Sequence, residues 1–248
     1  MADKIYHLLN KISRPHPVHG IHSPESPAEV KTFIECAPSD QIKFEIDKQT
    51  GFLFCDRPHK FSSLPPSSYG FIPRTHCGQR CAELCMAATG QTNIVGDGDP
   101  LDCVVLSTRS LTRSDLILNA IPIGGFRMID SGGNSGTARA EADDKIICVI
   151  KGDPIMSSWK DITDVPEPLL KMVKHFFLTY KLDPSKPDQR VVTIPQTYGR
   201  ETAYEVIRAT EADYLTLYGD LAAQFKDAIA EAVQDAARQI VAEQSAAK

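Results

Sequence analysis

Gly96-Asp97-Gly98-Asp99-Pro100-Leu101-Asp102 stands directly before the apolar run Cys103–Leu106, which predicts a short buried strand. Pro100 lacks an N–H and favours an extended conformation at Asp99, while Gly98 permits a tight turn. Carboxylates this close together destabilise a fold unless cations compensate them. Oxygen-only ligands suit Mg²⁺ or Mn²⁺, although acidic surface turns have the same pattern.

The composition is that of an ordinary globular protein. The chain has 248 residues, of which 42% are hydrophobic and 24% charged, and its net charge is −5. This acidic balance argues against a nucleic-acid partner. No apolar run approaches the roughly 20 residues of a membrane span, and the first 22 residues lack a signal-peptide core. Seven cysteines, an odd number, favour reduced thiols, so we expect a cytoplasmic protein without a membrane contact.

Strand and helix periods occupy different parts of the chain. Alternation over 42–46 and a return over 52–55 predict a hairpin, and further strands are predicted over 116–123 and 146–150. Short strands at hairpin spacing favour a closed or partly closed β-barrel.

Helical periodicity begins after Asp164, the expected N-cap of a helix with Pro166 in its first turn. A second helical region is predicted from about Arg200 to the C-terminus. The predicted divisions are an extended N-terminal arm (1–30), a β-barrel domain with a flanking helix (31–209) and a C-terminal helical extension (210–248).

Polar residues suited to metals and phosphates recur outside the aspartate stretch. Carboxylates hold divalent ions, while Lys, Arg and Tyr side chains bind phosphate oxygens, so together they indicate an oligophosphate with bound metal ions. Taken singly, each residue could belong to a polar sheet face with surface ion pairs. These residues are Glu35, Lys43, Glu45, Arg57, Tyr69, Asp130, Asp143, Lys145, Tyr180 and Lys181.

In order and local spacing, these residues and the Gly96–Asp102 stretch resemble the soluble family I inorganic pyrophosphatases. The resemblance covers about residues 33–186. It implies a mainly β fold with flanking α-helices, built on a five-stranded β-barrel of OB type. It also implies hydrolysis of pyrophosphate to two orthophosphates by a metal-activated water or hydroxide, without a covalent intermediate. Several Mg²⁺ ions, for which Mn²⁺ can substitute, and a homo-oligomer are expected.

The same resemblance implies roles for individual residues. Asp99 would accept the proton of the nucleophile, and Glu45, Arg57 and Tyr69 complete the expected catalytic set. The expected phosphate-binding residues are Lys43, Arg57, Lys145, Tyr180 and Lys181. The expected metal ligands are Asp97, Asp99, Asp102, Asp130 and Asp143.

The chain departs from the family's pattern in several places. The segment between Tyr69 and Asp97 is much longer than in compact bacterial members, and it contains Cys77, Cys81 and Cys85. Simple packing, redox-sensitive thiols and a Zn²⁺ site are the alternatives for these cysteines.

An insert rich in Gly, Ser and Ala over 131–142 leaves Glu141, Asp143 and Asp144 as alternative ligands. The spacing to Lys145 favours Asp143. Glu35 lies one residue off the usual spacing, so its role is left open. Residues after about 209 have no catalytic counterpart.

Other functions fit only parts of the sequence. A haloacid-dehalogenase-type phosphatase also uses Asp-x-Asp, but it needs a buried strand just before Asp97 and alternating β/α units after it. An EF-hand fails because Asp102 stands at its glycine position and Thr108 at its final glutamate position. A catalytically inactive metal-binding relative has no need to keep mutually repelling carboxylates.

Overall fold

The computed structural model describes Lys4, Leu8 and residues 11–38, 40–131, 139–182, 185 and 192–246. Its strands are β1 (Val30–Cys36), β2 (Ile42–Ile46), β3 (Leu53–Pro58), β4 (Ser68–Phe71), β5 (Ile94–Gly96), β6 (Asp102–Leu106), β7 (Leu116–Asp130), β8 (Ala140–Ala142), β9 (Lys145–Ile150) and β10 (Val192–Gly199). Its α-helices are α1 (Gln79–Thr89), α2 (Glu167–Thr179), α3 (Arg200–Tyr218) and α4 (Leu221–Ala246).

Five strands form a closed ring of hydrogen-bonded neighbours. β1 pairs with β4, β4 with β6, β6 with β9 and β9 with β7, and β7 also pairs with β1. Only the β6–β9 pair of this ring is parallel. The predicted mainly β fold with flanking helices is confirmed, and the ring agrees with the closed five-stranded sheet that the resemblance implies.

The remaining strands lie outside the ring. β2 and β3 form the predicted hairpin as a separate two-stranded sheet. β8 and β10 pair with β7, and β5 pairs with β8. Five strands had no counterpart in the sequence prediction, namely β1, β4, β5, β8 and β10, and β7 continues beyond the predicted range 116–123 to Asp130.

Strands β6 and β9 separate two hydrophobic clusters. Successive side chains of a strand point to opposite faces, and both faces are covered here, so these strands are apolar along most of their length. One cluster combines Cys103, Val105, Ile146 and Cys148 with Cys81 and Cys85 of α1 and Val206 and Ile207 of α3. The other combines Val104, Leu106, Ile147 and Val149 with Val173, Phe176 and Phe177 of α2.

The three cysteines of the long segment are packing residues in this structure. Cys77, Cys81 and Cys85 are at most 2% exposed and belong to the first cluster. All seven cysteines of the chain are free thiols. Within the described ranges, no three His, Cys, Asp or Glu groups are placed to hold a metal ion. Their burial in this cluster agrees with the packing interpretation.

One predicted helix feature is wrong. Pro166, not Asp164, is the N-cap of α2. The Asp164 carboxylate instead accepts the backbone N–H of Asp161 at 3.0 Å, in the capping box of a 3₁₀ turn over Ile162–Asp164. The helical region predicted from about Arg200 is confirmed as α3 and α4, which are separated at Gly219, where φ is +66°, and Asp220 accepts the backbone N–H of Ala222 at 3.0 Å as an N-cap.

By their internal contacts, residues 16–214 form one compact unit, and residues 1–15 with 215–248 form another. The arm, domain and extension boundaries named above stay predictions, and part of the arm lies outside the described residues. None of the described helices has both the length and the apolar content needed to cross a membrane.

We expect Gly70→Ala to destabilise the ring, because an added Cβ would lie 1.9 Å from the backbone oxygen of Phe33 on the neighbouring strand. A carbonyl oxygen cannot rotate away, so β1 and β4 must separate, at a cost of about 3 kcal/mol. Urea unfolding measures the change. Gly90→Ala is the control, because nothing lies within 4 Å of its added Cβ and only the left-handed backbone penalty of about 1 kcal/mol remains. Equal losses in the two variants would contradict the prediction.

Candidate active site

A cavity of about 360 Å³ lies where one end of the strand ring meets the β2–β3 hairpin. Because β6 and β9 are parallel, their first residues, Asp102 and Lys145, are paired in register. Antiparallel β7 brings its last residue, Asp130, to the same edge. Of the predicted site residues, all but Lys145 line this cavity: Lys43, Glu45, Arg57, Tyr69, Asp97, Asp99, Asp102, Asp130, Asp143, Tyr180 and Lys181.

The hairpin contributes cations from neighbouring strands. Lys43 of β2 is in register with Arg57 of β3. The Lys43 ammonium donates a hydrogen bond to Glu45 and lies 3.4 Å from a carboxylate oxygen of Asp56, which also pairs with Arg57. Two positive side chains are thus held beside each other on one wall of the cavity by carboxylates of the same hairpin.

Lys145 lies behind the carboxylates and is 1% exposed. Its ammonium donates hydrogen bonds to Asp102 and to Asp143. The Tyr69 hydroxyl also donates to Asp102, at 2.6 Å. Burial disfavours the lysine charge, but the two carboxylates outweigh it and raise the pKa of Lys145 well above its usual range. Lys145 is therefore a permanent cation that orients both aspartates.

The loop before β6 brings its carboxylates together. The backbone N–H of Asp99 donates to a carboxylate oxygen of Asp97 at 2.9 Å, and Lys48 pairs with the Asp99 side chain. Burial, with the neighbouring charges of Asp143 and Asp99, raises the pKa of Asp97 well above its usual range. The loop therefore carries more negative charge than its neighbours neutralise.

The C-terminal end of α2 also contributes to the lining of the cavity. Lys181 donates a hydrogen bond to Asp130 at 2.8 Å. The Tyr180 ring lies 5.2 Å from the ring of Phe176 and 5.9 Å from that of Phe177, measured between centroids. Aromatic packing of α2 thus determines where the Tyr180 hydroxyl can lie.

Glu35 lines the cavity and is nearly buried. Its carboxyl oxygen accepts the backbone N–H of Ile46 at 2.8 Å, which ties β1 to the end of β2. Burial, with the charge of Asp102, raises the pKa of Glu35 to about 8. At neutral pH this side chain is therefore mostly protonated.

Comparison with known proteins identifies the family. A family model described as inorganic pyrophosphatase matches residues 32–215. An inorganic pyrophosphatase of Chlamydia muridarum is 42% identical over 209 residues, which cover 82% of this chain and 95% of that protein. The chain belongs to the inorganic pyrophosphatase family.

Solved structures of inorganic pyrophosphatases share the fold. The Thermus thermophilus protein is 29% identical with a TM-score of 0.64, over 80% of this chain and 98% of that one. The Helicobacter pylori protein is also 29% identical, with a TM-score of 0.61, over 78% and 98% of the two chains.

The donor set fits the divalent metals that a pyrophosphatase of this family uses. The carboxylates of the cavity offer only oxygen, which is the ligand type that Mg²⁺ prefers. Among the described residues, no three of these carboxylates are placed to hold one metal ion together. Lysine ammonium groups hold several of them instead: Lys48 pairs with Asp99, Lys145 with Asp102 and Asp143, and Lys181 with Asp130.

The structure separates the three alternative ligands near the insert. Asp143 and Glu141 both line the cavity, and Glu141 is in register with Asp130. Asp144 points elsewhere, accepting hydrogen bonds from Arg127 at 2.6 Å and from the Tyr198 hydroxyl at 2.9 Å. Metal binding by Asp143 stays a prediction, and the position of Asp143 in the cavity lining agrees with that role.

Two charged residues that line the cavity are not among the predicted site residues. Lys48 lies in the turn after β2, where the sequence predicts no site residue, and its contact with Asp99 joins residues 51 positions apart. Glu141 was weighed against Asp143 as a single choice, although both reach the cavity. The pairing of β7 with β8 explains this, because it places Glu141 opposite Asp130.

We expect Arg127→Met to lower the free energy of unfolding by about 3–5 kcal/mol, because it leaves the buried carboxylate of Asp144 without its cation. Both side chains are at most 2% exposed. The double variant Arg127→Met/Asp144→Asn should recover part of the loss, since the charge is then removed as well. Urea unfolding at neutral pH measures both. A double variant less stable than the single one would show that the ion pair is not the cause.

Proposed function

We propose that the chain hydrolyses inorganic pyrophosphate to two orthophosphates with several divalent metal ions, Mg²⁺ first. The observation that carries this proposal is the cavity itself, where metal-suited carboxylates face cations suited to phosphate. Family membership and the name of the Chlamydia muridarum relative support the same reaction.

The carboxylates would hold the metals. We assign this role to Asp97, Asp99, Asp102, Asp130 and Asp143. Divalent ions, when bound, lower the pKa of an attacking water and neutralise phosphate charge. Asp99 is our candidate for the proton acceptor, because it lines the cavity and its side chain is half-exposed. Glu45 and Tyr69 would support the site through Lys43 and Asp102, which they contact.

The cations would bind and polarise the phosphates. We assign phosphate binding to Lys43, Arg57, Tyr180 and Lys181, and their position in the cavity lining supports this assignment. Positive side chains stabilise the charge that spreads over phosphoryl oxygens in the transition state. The phosphate contact of Lys145 stays a prediction, since its ammonium donates to Asp102 and Asp143 and this residue does not line the cavity.

The fold argues against covalent phosphatase chemistry. A haloacid-dehalogenase-type enzyme needs a parallel sheet of alternating β/α units, whereas Asp97 here precedes a strand of a mostly antiparallel ring. The described lining of the cavity contains no serine, cysteine or histidine. Water is therefore the nucleophile that we propose.

Further properties of this function remain proposals. We propose that the protein acts in the cytoplasm, where its seven free thiols would stay reduced. We also propose that it forms a homo-oligomer and binds neither nucleic acid nor membranes.

Chelation of divalent metal should abolish phosphate release from pyrophosphate, because the carboxylate-lined cavity repels a polyanion without cations. Mg²⁺ added back should restore turnover, and Mn²⁺ should substitute. Colorimetric phosphate detection measures this, with p-nitrophenyl phosphate as a control substrate. Full turnover in metal-free buffer would contradict the metal role, and hydrolysis of the control substrate alone would contradict the choice of pyrophosphate.

Asp99→Asn should reduce kcat by about 10²–10⁴-fold, because it removes a proton acceptor while keeping nearly the same shape. Asp235→Asn on α4 is the matched control, since that side chain is 68% exposed and lies outside the cavity. Steady-state kinetics and thermal unfolding are measured on both. A folded Asp99→Asn variant with kcat within a few-fold of the parent would assign the proton transfer to another group.

A further inference from the structure

The backbone of the carboxylate loop (residues 97–102) is held by a segment far from it in sequence. The N–H of Cys77 donates to the carbonyl of Asp99 at 2.8 Å, and the N–H of Gly98 donates to the carbonyl of Cys77 at 3.1 Å. The N–H of Leu101 donates to the Thr75 hydroxyl at 2.8 Å. Both halves of the loop are therefore tied to residues 75–77, which we call the clamp.

The clamp lies very close to the backbone just before the carboxylate loop. A Cβ at Gly96, just before the loop, would lie 2.0 Å from the carbonyl oxygen of Cys77. Only glycine permits this distance. The clamp lies near the start of the segment between Tyr69 and Asp97, and α1 follows it directly.

The clamp is itself held by α3. The N–H of His76 donates to the carbonyl of Thr210 at 3.0 Å. The Asp213 carboxylate accepts the backbone N–H groups of Gly78 at 3.2 Å, Arg80 at 3.0 Å and Cys81 at 3.3 Å. It also accepts the Arg80 guanidinium at 2.8 Å.

Asp213 thereby supplies a cap that the local sequence lacks. Gly78, at the N-cap position of α1, has no side chain and makes no side-chain cap. An N-terminal helix turn leaves several N–H groups without partners, and an anion there is favourable. Asp213 is 5% exposed, so water does not compete strongly for these bonds.

We propose that Asp213 is a positioning residue for the metal ligands of the carboxylate loop, acting through the start of α1 and the clamp. The inference rests on the proposed function, since it assumes that the loop binds metal. The aspartates of the loop repel one another, and their side chains are committed to the cavity. Lysine side chains hold the carboxylates of Asp99 and Asp102, and the clamp adds the bonds that hold the backbone of the loop.

The test measures Mn²⁺ binding to the full chain without substrate, by electron paramagnetic resonance of the free ion. Asp213→Ala should weaken Mn²⁺ binding roughly 10-fold, the lower end of what loss of outer support costs a metal site. Thr75→Val should also weaken it, because it removes a direct bond to the loop. Asp213→Asn, which keeps an acceptor oxygen, should lose less than Asp213→Ala.

Asp153→Ala is the matched control. Asp153 is also 5% exposed, and it accepts the backbone N–H groups of Thr108, Ile155 and Met156 at 2.8–2.9 Å. It lies near the ends of β6 and β9 opposite to Asp102 and Lys145. This variant should lower the thermal midpoint while leaving Mn²⁺ affinity unchanged.

The outcomes distinguish the two proposals. If Asp213→Ala and Thr75→Val bind Mn²⁺ as tightly as the parent, the positioning role is wrong, whatever their stability. If Asp213→Ala fails to fold, Thr75→Val and Asp213→Asn decide the question. A parent chain that binds Mn²⁺ but releases no phosphate from pyrophosphate overturns the proposed function and not the positioning role. A parent chain that binds no Mn²⁺ overturns both.

Discussion

Repulsion among the aspartates of one cavity is the constraint on which the rest of the site depends. Asp97 and Asp143 face each other's charge in a largely buried place, and the pKa of Asp97 rises as a result of burial and of that charge. Ammonium groups offset this repulsion. Lys145 is permanently charged and donates hydrogen bonds to both Asp102 and Asp143.

The strand ring brings three of these charged residues to one edge of the sheet. The parallel β6–β9 pair places Asp102 beside Lys145, and the antiparallel partner β7 ends at the same edge with Asp130. These strands are covered on both faces by the clusters under α2 and under α1 with α3. Buried strands of this kind resist sliding, since a shift of one residue would exchange the two faces. The geometry of the site therefore derives from core packing.

Much of this could be predicted from local sequence, and the remainder depends on contacts between distant residues. The alternation of apolar and charged residues over 42–46 predicts the hairpin, and the closely spaced aspartates of the 97–102 stretch predict a metal site. No local pattern could reveal that Lys48 reaches Asp99, or that Asp144 pairs with Arg127 inside the core. The predicted N-cap at Asp164 failed because this carboxylate caps an adjacent 3₁₀ turn. Carboxylates that line the cavity and those that cap a turn or pair inside the core look alike in sequence, because the role of a carboxylate depends on which hydrogen-bond donors pack against it.

The capping of α1 illustrates why the support of a metal loop is the part least visible in sequence. Ligand side chains are recognisable because their chemistry is restricted to a few residue types. A backbone restraint needs only a suitably placed N–H and carbonyl, which any residue except proline supplies. Here the bonds from Cys77 to the loop use no side chain, and Asp213, which stabilises their framework, lies 135 positions after Gly78. A search confined to ligand chemistry would therefore identify the aspartates and omit the helix that determines where they point.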